Sequence, residues 1–202
     1  MKVEVVIAGG GKGTRFGNNQ PKQFCSIAGK PILNWTLSRF DNCPFIQAII
    51  LVVPEGMKKE AKTKLSLEKY RKLKGLIEGG EERQDSIYQG LSLVDEDTQV
   101  VLVHDGVRPL VSSSLIQSVI EETKLHGAVV PGVPVKETVK EKDDRNLIIR
   151  TLPRDKLYLV QTPQGFAQEL IRKAHQEARA KNWRASDDAG LVERLGHKVH
   201  II

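Results

Sequence analysis

Short runs of β-branched and apolar residues recur along the chain at Val3–Ile7, Ala48–Val53, Gln99–Val103, Ala128–Val130 and Leu157–Val160. Each has the length of a strand, and near-continuous apolarity predicts burial on both faces rather than on one. Longer stretches between them carry apolar residues at helical spacing: Ile32–Phe40, Lys58–Tyr70, Arg83–Leu93, Ser114–Lys124 and Ala167–Ala180. Strands alternating with helices predict a doubly wound, mostly parallel α/β sheet, in which ligands gather at the carboxyl ends of the strands. The punctuation agrees. Pro31 stands where a first helical turn tolerates a missing N–H, and Ser112, Ser113 or Ser114 can cap the helix after Pro109. Asp187 and Asp188 place negative charge at the amino end of another short helix, and His197–Ile202 reads as the start of a strand. One segment breaks the rhythm. Val135–Arg150 alternates apolar and polar residues on both sides of Asp143-Asp144-Arg145-Asn146, the pattern of a β-hairpin arm. A two-stranded ribbon is marginal alone, so residues 135–150 are expected to act as a dimerisation arm.

Composition narrows the class. With 202 residues, 40% apolar and 28% charged, the chain is neither disordered nor fibrous and fits one domain, residues 1–202. No apolar run approaches the ~20 residues that cross a bilayer, and the opening MKVEVVIAGGGKGTR lacks the pattern of a signal peptide. Cys25 and Cys43 are too few for a disulfide framework or a zinc site, so a cytoplasmic protein with no membrane partner is expected. A net charge of +6 admits a nucleic-acid partner, but the basic residues are spread, and Lys58–Lys74 reads as a solvated helix face. Aromatics are 5%, with no aromatic-rich strand on which bases could stack. A polyanionic small molecule fits better than nucleic acid.

The candidate chemistry follows the strands. After the first comes Ala8-Gly9-Gly10-Gly11-Lys12-Gly13-Thr14-Arg15, a glycine-rich loop of the kind that turns backbone N–H groups toward a phosphate. It is not a Walker A loop, because Gly13 follows Lys12, and Thr14 and Phe16 break the dinucleotide fingerprint. A glycine loop alone can also be a tight turn. Arg15 on one side and Lys22 on the other, the latter in Gln20-Pro21-Lys22-Gln23, make it a clamp for a triphosphate. After the run ending at Val103 comes His104-Asp105-Gly106-Val107-Arg108-Pro109. Asp105, at a strand end facing a phosphate loop, is the expected ligand of Mg²⁺, and His104 reads as structural. Gly79-Gly80-Glu81-Glu82-Arg83-Gln84-Asp85-Ser86 supplies a second glycine turn, suited to a base or a ribose.

These motifs, with Pro134-Val135-Lys136-Glu137-Thr138 and Gln161-Thr162-Pro163-Gln164-Gly165-Phe166, stand in the order seen in the 2-C-methyl-D-erythritol 4-phosphate cytidylyltransferases, which the sequence resembles from Val3 to its last residue. Ribitol 5-phosphate cytidylyltransferases share most of the motifs, but Arg150–Tyr158 looks more like the isoprenoid enzyme. The resemblance implies a Rossmann-like nucleotidyltransferase fold and a homodimer whose arm crosses to the neighbour. It also implies transfer of a cytidylyl group from CTP to a sugar-alcohol phosphate in non-mevalonate isoprenoid biosynthesis. By position, Arg15 and Lys22 would be catalytic, and Gly9, Gly10, Gly11, Gly13, Gly80, Glu81 and Ser86 would bind the nucleotide. Arg108, Thr138, Arg154 and Thr162 would bind the second substrate, and Asp105 the Mg²⁺. Two departures stand out. Gly9 and Gly10 replace the family's alanines, which should loosen the loop. The family's pattern also continues beyond Ile202 with a further phosphate-binding lysine that Lys198 does not match.

Overall fold

The computed structural model describes residues 1–11 and 21–202. In chain order the elements are β1 (Val3–Ala8), β2 (Ser26–Ile27), β3 (Lys30–Pro31), α1 (Ile32–Asp41), β4 (Ala48–Val53), α2 (Lys58–Leu65) and β5 (Leu73–Glu78). There follow α3 (Arg83–Leu91), β6 (Val100–Asp105), α4 (Ser113–His126), β7 (Ala128–Val130) and β8 (Gly132–Pro134). The remainder comprises β9 (Lys140–Lys142), β10 (Ile148–Thr151), β11 (Tyr158–Val160), β12 (Gln164–Ala167), α5 (Gln168–Ala180), α6 (Asp188–Arg194) and β13 (His200–Ile201).

Seven strands form one sheet in the order β13-β7-β12-β6-β1-β4-β5. The apolar runs of β1, β4 and β6 occupy its middle, where both faces must be covered, and they pair in parallel. Alternation along each strand sorts the core into two layers. Val5 and Ile7 pack with Leu33, Leu37 and Phe40 of α1 and with Ile116 and Val119 of α4. Val6, Ile50 and Val52 face Ile87 and Leu91 of α3, with Ile171 and Ala174 of α5 on the same side. The approach of α3 is close because of Gly90, whose missing Cβ would fall 2.5 Å from Val6 Cγ1. No helix among the described residues is long and apolar enough to cross a membrane.

The caps behave as their residue types dictate. Ser112 accepts the Leu115 N–H at 3.1 Å, and Asp187 accepts that of Gly190 at 3.0 Å. Pro31 is the extended residue just before α1 rather than part of its first turn. The helix expected over Lys58–Tyr70 ends at Leu65, because Ser66 adopts φ 46° and a short 3₁₀ turn, Leu67–Lys69, follows.

Two strands of the main sheet escape the sequence reading. In β5, Lys74 and Gly75 interrupt the run at the sheet edge. In β12, four residues insert antiparallel between β6 and β7, making the sheet mixed at that side. The Leu157–Val160 run is not a buried core strand. Tyr158–Val160 pairs antiparallel with β8 outside the main sheet and is exposed, so its apolarity serves a surface. That pair is the stem of a ribbon that runs past both ends of the expected arm, residues 135–150. Its tip is β9 paired with β10, closed by Asp143 Oδ1, which accepts the Arg145 and Leu147 N–H groups at 2.9 and 2.8 Å.

Candidate active site

The chain leaves β1 toward β4 and β5, then crosses back to β6 and continues toward β7 on the other side. The connections therefore part between β1 and β6, the switch point at which an open α/β sheet leaves a crevice beyond its strand ends. Ala8 and Asp105 are register partners at that edge. The two loops are tied there: Gly106 N–H donates to Ala8 O at 2.9 Å, and Thr36 Oγ1 donates to Gly106 O at 2.8 Å.

At Gly9 and Gly10 the backbone is packed tightly, where loosening was expected from the missing methyl groups, while the space beside Gly11 is open. Gly9 N–H donates to Val52 O at 2.8 Å, and a Cβ on Gly9 would fall 2.7 Å from that oxygen. A Cβ on Gly10 would fall 2.9 Å from Ser86 Oγ. Ser86, buried in the first turns of α3, fills the space left by both Gly10 and Gly79. Gln23 is 2% exposed, and its Nε2 donates to Gly9 O at 2.6 Å and to Gly11 O at 3.0 Å. It thereby engages two carbonyl oxygens that would otherwise repel a phosphate.

Around Asp105 the side chains form a connected set. Arg108 Nε donates to Asp105 Oδ2 at 2.9 Å, and Arg83 Nε donates to Oδ1 at 3.2 Å. Arg108 also donates to Gln161 Oε1. Behind Arg83, its Nη1 donates to Asp188 Oδ2 at 2.6 Å, and the other Asp188 oxygen meets His175 Nε2 at 2.9 Å. Burial alone would raise the Asp188 pKa, but the Arg83 charge and the His175 hydrogen bond outweigh it and hold the carboxylate at about 2.

His104 is structural, as its residue context predicts. Its Nε2 lies 3.0 Å from Arg108 O, a group that only accepts, so that nitrogen carries the proton and Nδ1 accepts from Thr162 Oγ1 at 3.0 Å. Thr162 Oγ1 in turn accepts the Asp105 N–H at 3.2 Å. Burial pushes the imidazole down to about 4, so it is neutral at physiological pH.

One chain thus brings together Gly9, Gly10, Gly11, Ser86, Asp105, Arg108 and Thr162. Gly80 lies against Asp85 next to this group, and Glu81 is exposed beside it. Lys22 is exposed at the start of the 3₁₀ turn Lys22–Phe24. Gly13 and Arg15 lie outside the described residues. Thr138 and Arg154 belong to the ribbon. Both are exposed, and Arg154 Nη1 donates to Lys136 O at 2.7 Å instead of joining the Asp105 set. A reading by motif overlooks Arg83, Gln23, Gln161, His175 and the ionic role of Asp188. Arg83 and Gln23 sit inside the motifs themselves, but Asp188 and His175 carry no local signal.

Mg²⁺ takes near-octahedral oxygen ligands, commonly one or two carboxylates with phosphate oxygens and water. Asp105 is a single carboxylate, each of whose oxygens keeps a lone pair beyond its arginine bond. These residues fit a Mg²⁺ that draws most of its shell from a bound phosphate chain and water.

Comparison with known proteins gives one answer throughout. Residues 3–202 match the family described as IspD, 2-C-methyl-D-erythritol 4-phosphate cytidylyltransferase. The enzyme of that name from Pelotomaculum thermopropionicum is 42% identical over 202 residues, covering 100% of this chain and 85% of the relative. That of Clostridium beijerinckii is 43% identical over 200 residues, covering 98% and 88%. Among solved structures, 4-diphosphocytidyl-2C-methyl-D-erythritol synthase of Anaerococcus prevotii superposes with a TM-score of 0.86 at 30% identity, covering 100% of this chain and 86% of that one. The Thermus thermophilus cytidylyltransferase superposes with a TM-score of 0.78 at 35% identity, covering 100% and 88%. With the crevice placed at the β1–β6 switch point and agreement along the whole chain, the protein belongs to the 2-C-methyl-D-erythritol 4-phosphate cytidylyltransferase family.

Proposed function

We propose that the chain transfers the cytidylyl group of CTP to 2-C-methyl-D-erythritol 4-phosphate, in isoprenoid biosynthesis. The observation that carries this reading is the convergence of the glycine loop, Ser86 and Asp105 at the switch-point crevice of a chain matched from residue 3 to residue 202. An oxygen of the methylerythritol phosphate attacks the α-phosphorus of CTP. The new P–O bond forms as the bond to the β-phosphate breaks, and pyrophosphate leaves with the electron pair. A phosphate monoester is already ionised near neutral pH, so no general base is needed. The work of the protein is positioning and charge stabilisation.

In this reading Gly9, Gly10, Gly11 and Gly13 line the triphosphate, and Arg15 and Lys22 neutralise the charge that grows at the α-phosphorus. Gly80, Glu81 and Ser86 read cytosine and its ribose. Mg²⁺, held by Asp105, would offset phosphate charge when bound. Arg108 and Thr162 face the second substrate, while Thr138 and Arg154 complete its site from a neighbouring subunit in a homodimer. Support for the dimer comes from the ribbon's exposed apolar residues Val133, Leu147, Ile148, Ile149, Tyr158, Leu159 and Val160, an apolar surface that calls for a cover. Support for a cytoplasmic location comes from the free thiols of Cys25 and Cys43.

The test is pyrophosphate release with CTP and Mg²⁺, comparing methylerythritol 4-phosphate with ribitol 5-phosphate, and CTP with ATP, GTP and UTP. Release with the first pair is expected. Release with ribitol 5-phosphate alone would keep the chemistry and change the substrate, and a folded protein that releases nothing would reject the catalytic reading.

A further inference from the structure

Helix α4 carries Glu122 and His126 one turn apart, hence on one face. Gly127 ends the helix in a left-handed turn, and β7 follows at once. Beside β7 runs the edge strand β13, with His200 in register with Val129. The fold therefore places His200 at the carboxyl end of α4. Glu122 Oε2 lies 3.3 Å from His126 Nε2. The His126 and His200 rings stack with centroids 4.0 Å apart and planes 14° from parallel. One ligand atom from each of the three residues lies within 4.8 Å of the others.

We propose that Glu122, His126 and His200 bind a divalent transition metal, Zn²⁺ foremost, which clips the edge strand β13 to helix α4. The chemistry selects the ion: two imidazoles and a carboxylate suit Zn²⁺ and its neighbours, whereas Mg²⁺ and Ca²⁺ take oxygen shells. Tetrahedral Zn²⁺ with ligands at 2.0–2.1 Å needs ligand atoms roughly 3.3 Å apart. The Glu122–His126 pair already has that spacing. The two imidazoles are exposed and can rotate to close the rest, and the fourth position remains open to water. The site is separate from the crevice. It sits where α4 ends and β7 begins, about 20 Å along the helix from the loop that follows Asp105. Its role is mechanical, because β13 pairs with β7 alone among the described residues. A metal bound to the folded state alone strengthens that state.

The experiment is calorimetric titration of ZnCl₂ into the full chain, purified without a histidine tag and stripped with a chelator, alongside thermal unfolding with and without Zn²⁺. Binding of a single equivalent and a raised unfolding midpoint are expected, both undiminished by excess MgCl₂. H126A and H200A should each lose the binding and the thermal shift while keeping the circular dichroism of the parent. Glu122→Gln should weaken binding, and H197A, at another exposed histidine, should keep it. Absence of binding to the parent chain, or equal binding by a double H126A/H200A variant, would overturn the proposal.

Discussion

Asp188, buried at the start of α6, holds Arg83 through a 2.6 Å bond, and the same guanidinium reaches Asp105 at 3.2 Å at the end of β6. The residue assigned to Mg²⁺ is thus braced by a carboxylate on a different helix. Asp188→Ala leaves Arg83, which is partly exposed, with one carboxylate instead of two, at a cost on the order of 2 kcal/mol, below that of a fully buried pair. The folded pKa of Asp188, about 2, lies below its ordinary value of 3.8. Its stabilisation is therefore complete above the ordinary value and is lost as pH falls through the folded one. Urea unfolding of the parent and of Asp188→Ala at neutral pH measures the loss. Equal stabilities would remove Asp188 from the ionic set.

His104 sets a second acid dependence. Burial holds its pKa at about 4 in the folded chain, against an ordinary value of 6.5, so the unfolded chain binds the extra proton between those two pH values and the folded chain does not. Stability is present above pH 6.5 and falls as pH drops toward 4, by about 3 kcal/mol in all. His104→Gln has no such proton to gain. Its stability profile should be flatter over that interval, and an unchanged slope would show that another group carries it.

Gln23 grips two loop carbonyls and offers no group to the substrates in this reading. Gln23→Leu keeps its bulk and removes both donors, at a cost of about 1–3 kcal/mol, chiefly from the buried Gly9 oxygen left unsatisfied. The loop should relax, and the KM for CTP should rise several-fold with less effect on the KM for methylerythritol 4-phosphate. Equal changes in both constants would mean general damage rather than loss of loop order.

Lys22 is exposed, so its removal should spare the fold. If it stabilises charge at the α-phosphorus, Lys22→Ala should lower kcat by about 10²–10³, the usual effect of deleting one such contact. Arg15→Ala should behave alike. Turnover retained in either variant, with circular dichroism unchanged, would reject the clamp.

Much of this was legible in the chain because the signals are local. The runs in β1, β4 and β6 are too apolar for any wet surface, and the helices between them show their faces by periodicity. The site motifs could be read because glycines and charged residues directly follow strands, where an α/β sheet collects ligands. The ribbon tip was legible from Asp143 to Asn146. Its stem was not, since the run Tyr158–Val160 has the same composition whether it is covered by its own core or by a partner.

What the sequence determined by itself was most of the helices and central strands and the placement of glycine-rich and charged loops directly after those strands, all of which depend on neighbours a few positions apart. Tertiary structure decided the rest. Gln164–Ala167 has one large apolar residue and becomes a central antiparallel strand only because β6 and β7 stand on either side with unpaired backbone groups. Arg83 and Asp188 are 105 positions apart, and Glu122 and His126 meet His200 only where an edge strand passes a helix end. No periodicity relates such residues, because their pairing is set by how the layers close and not by the order in which the chain was written.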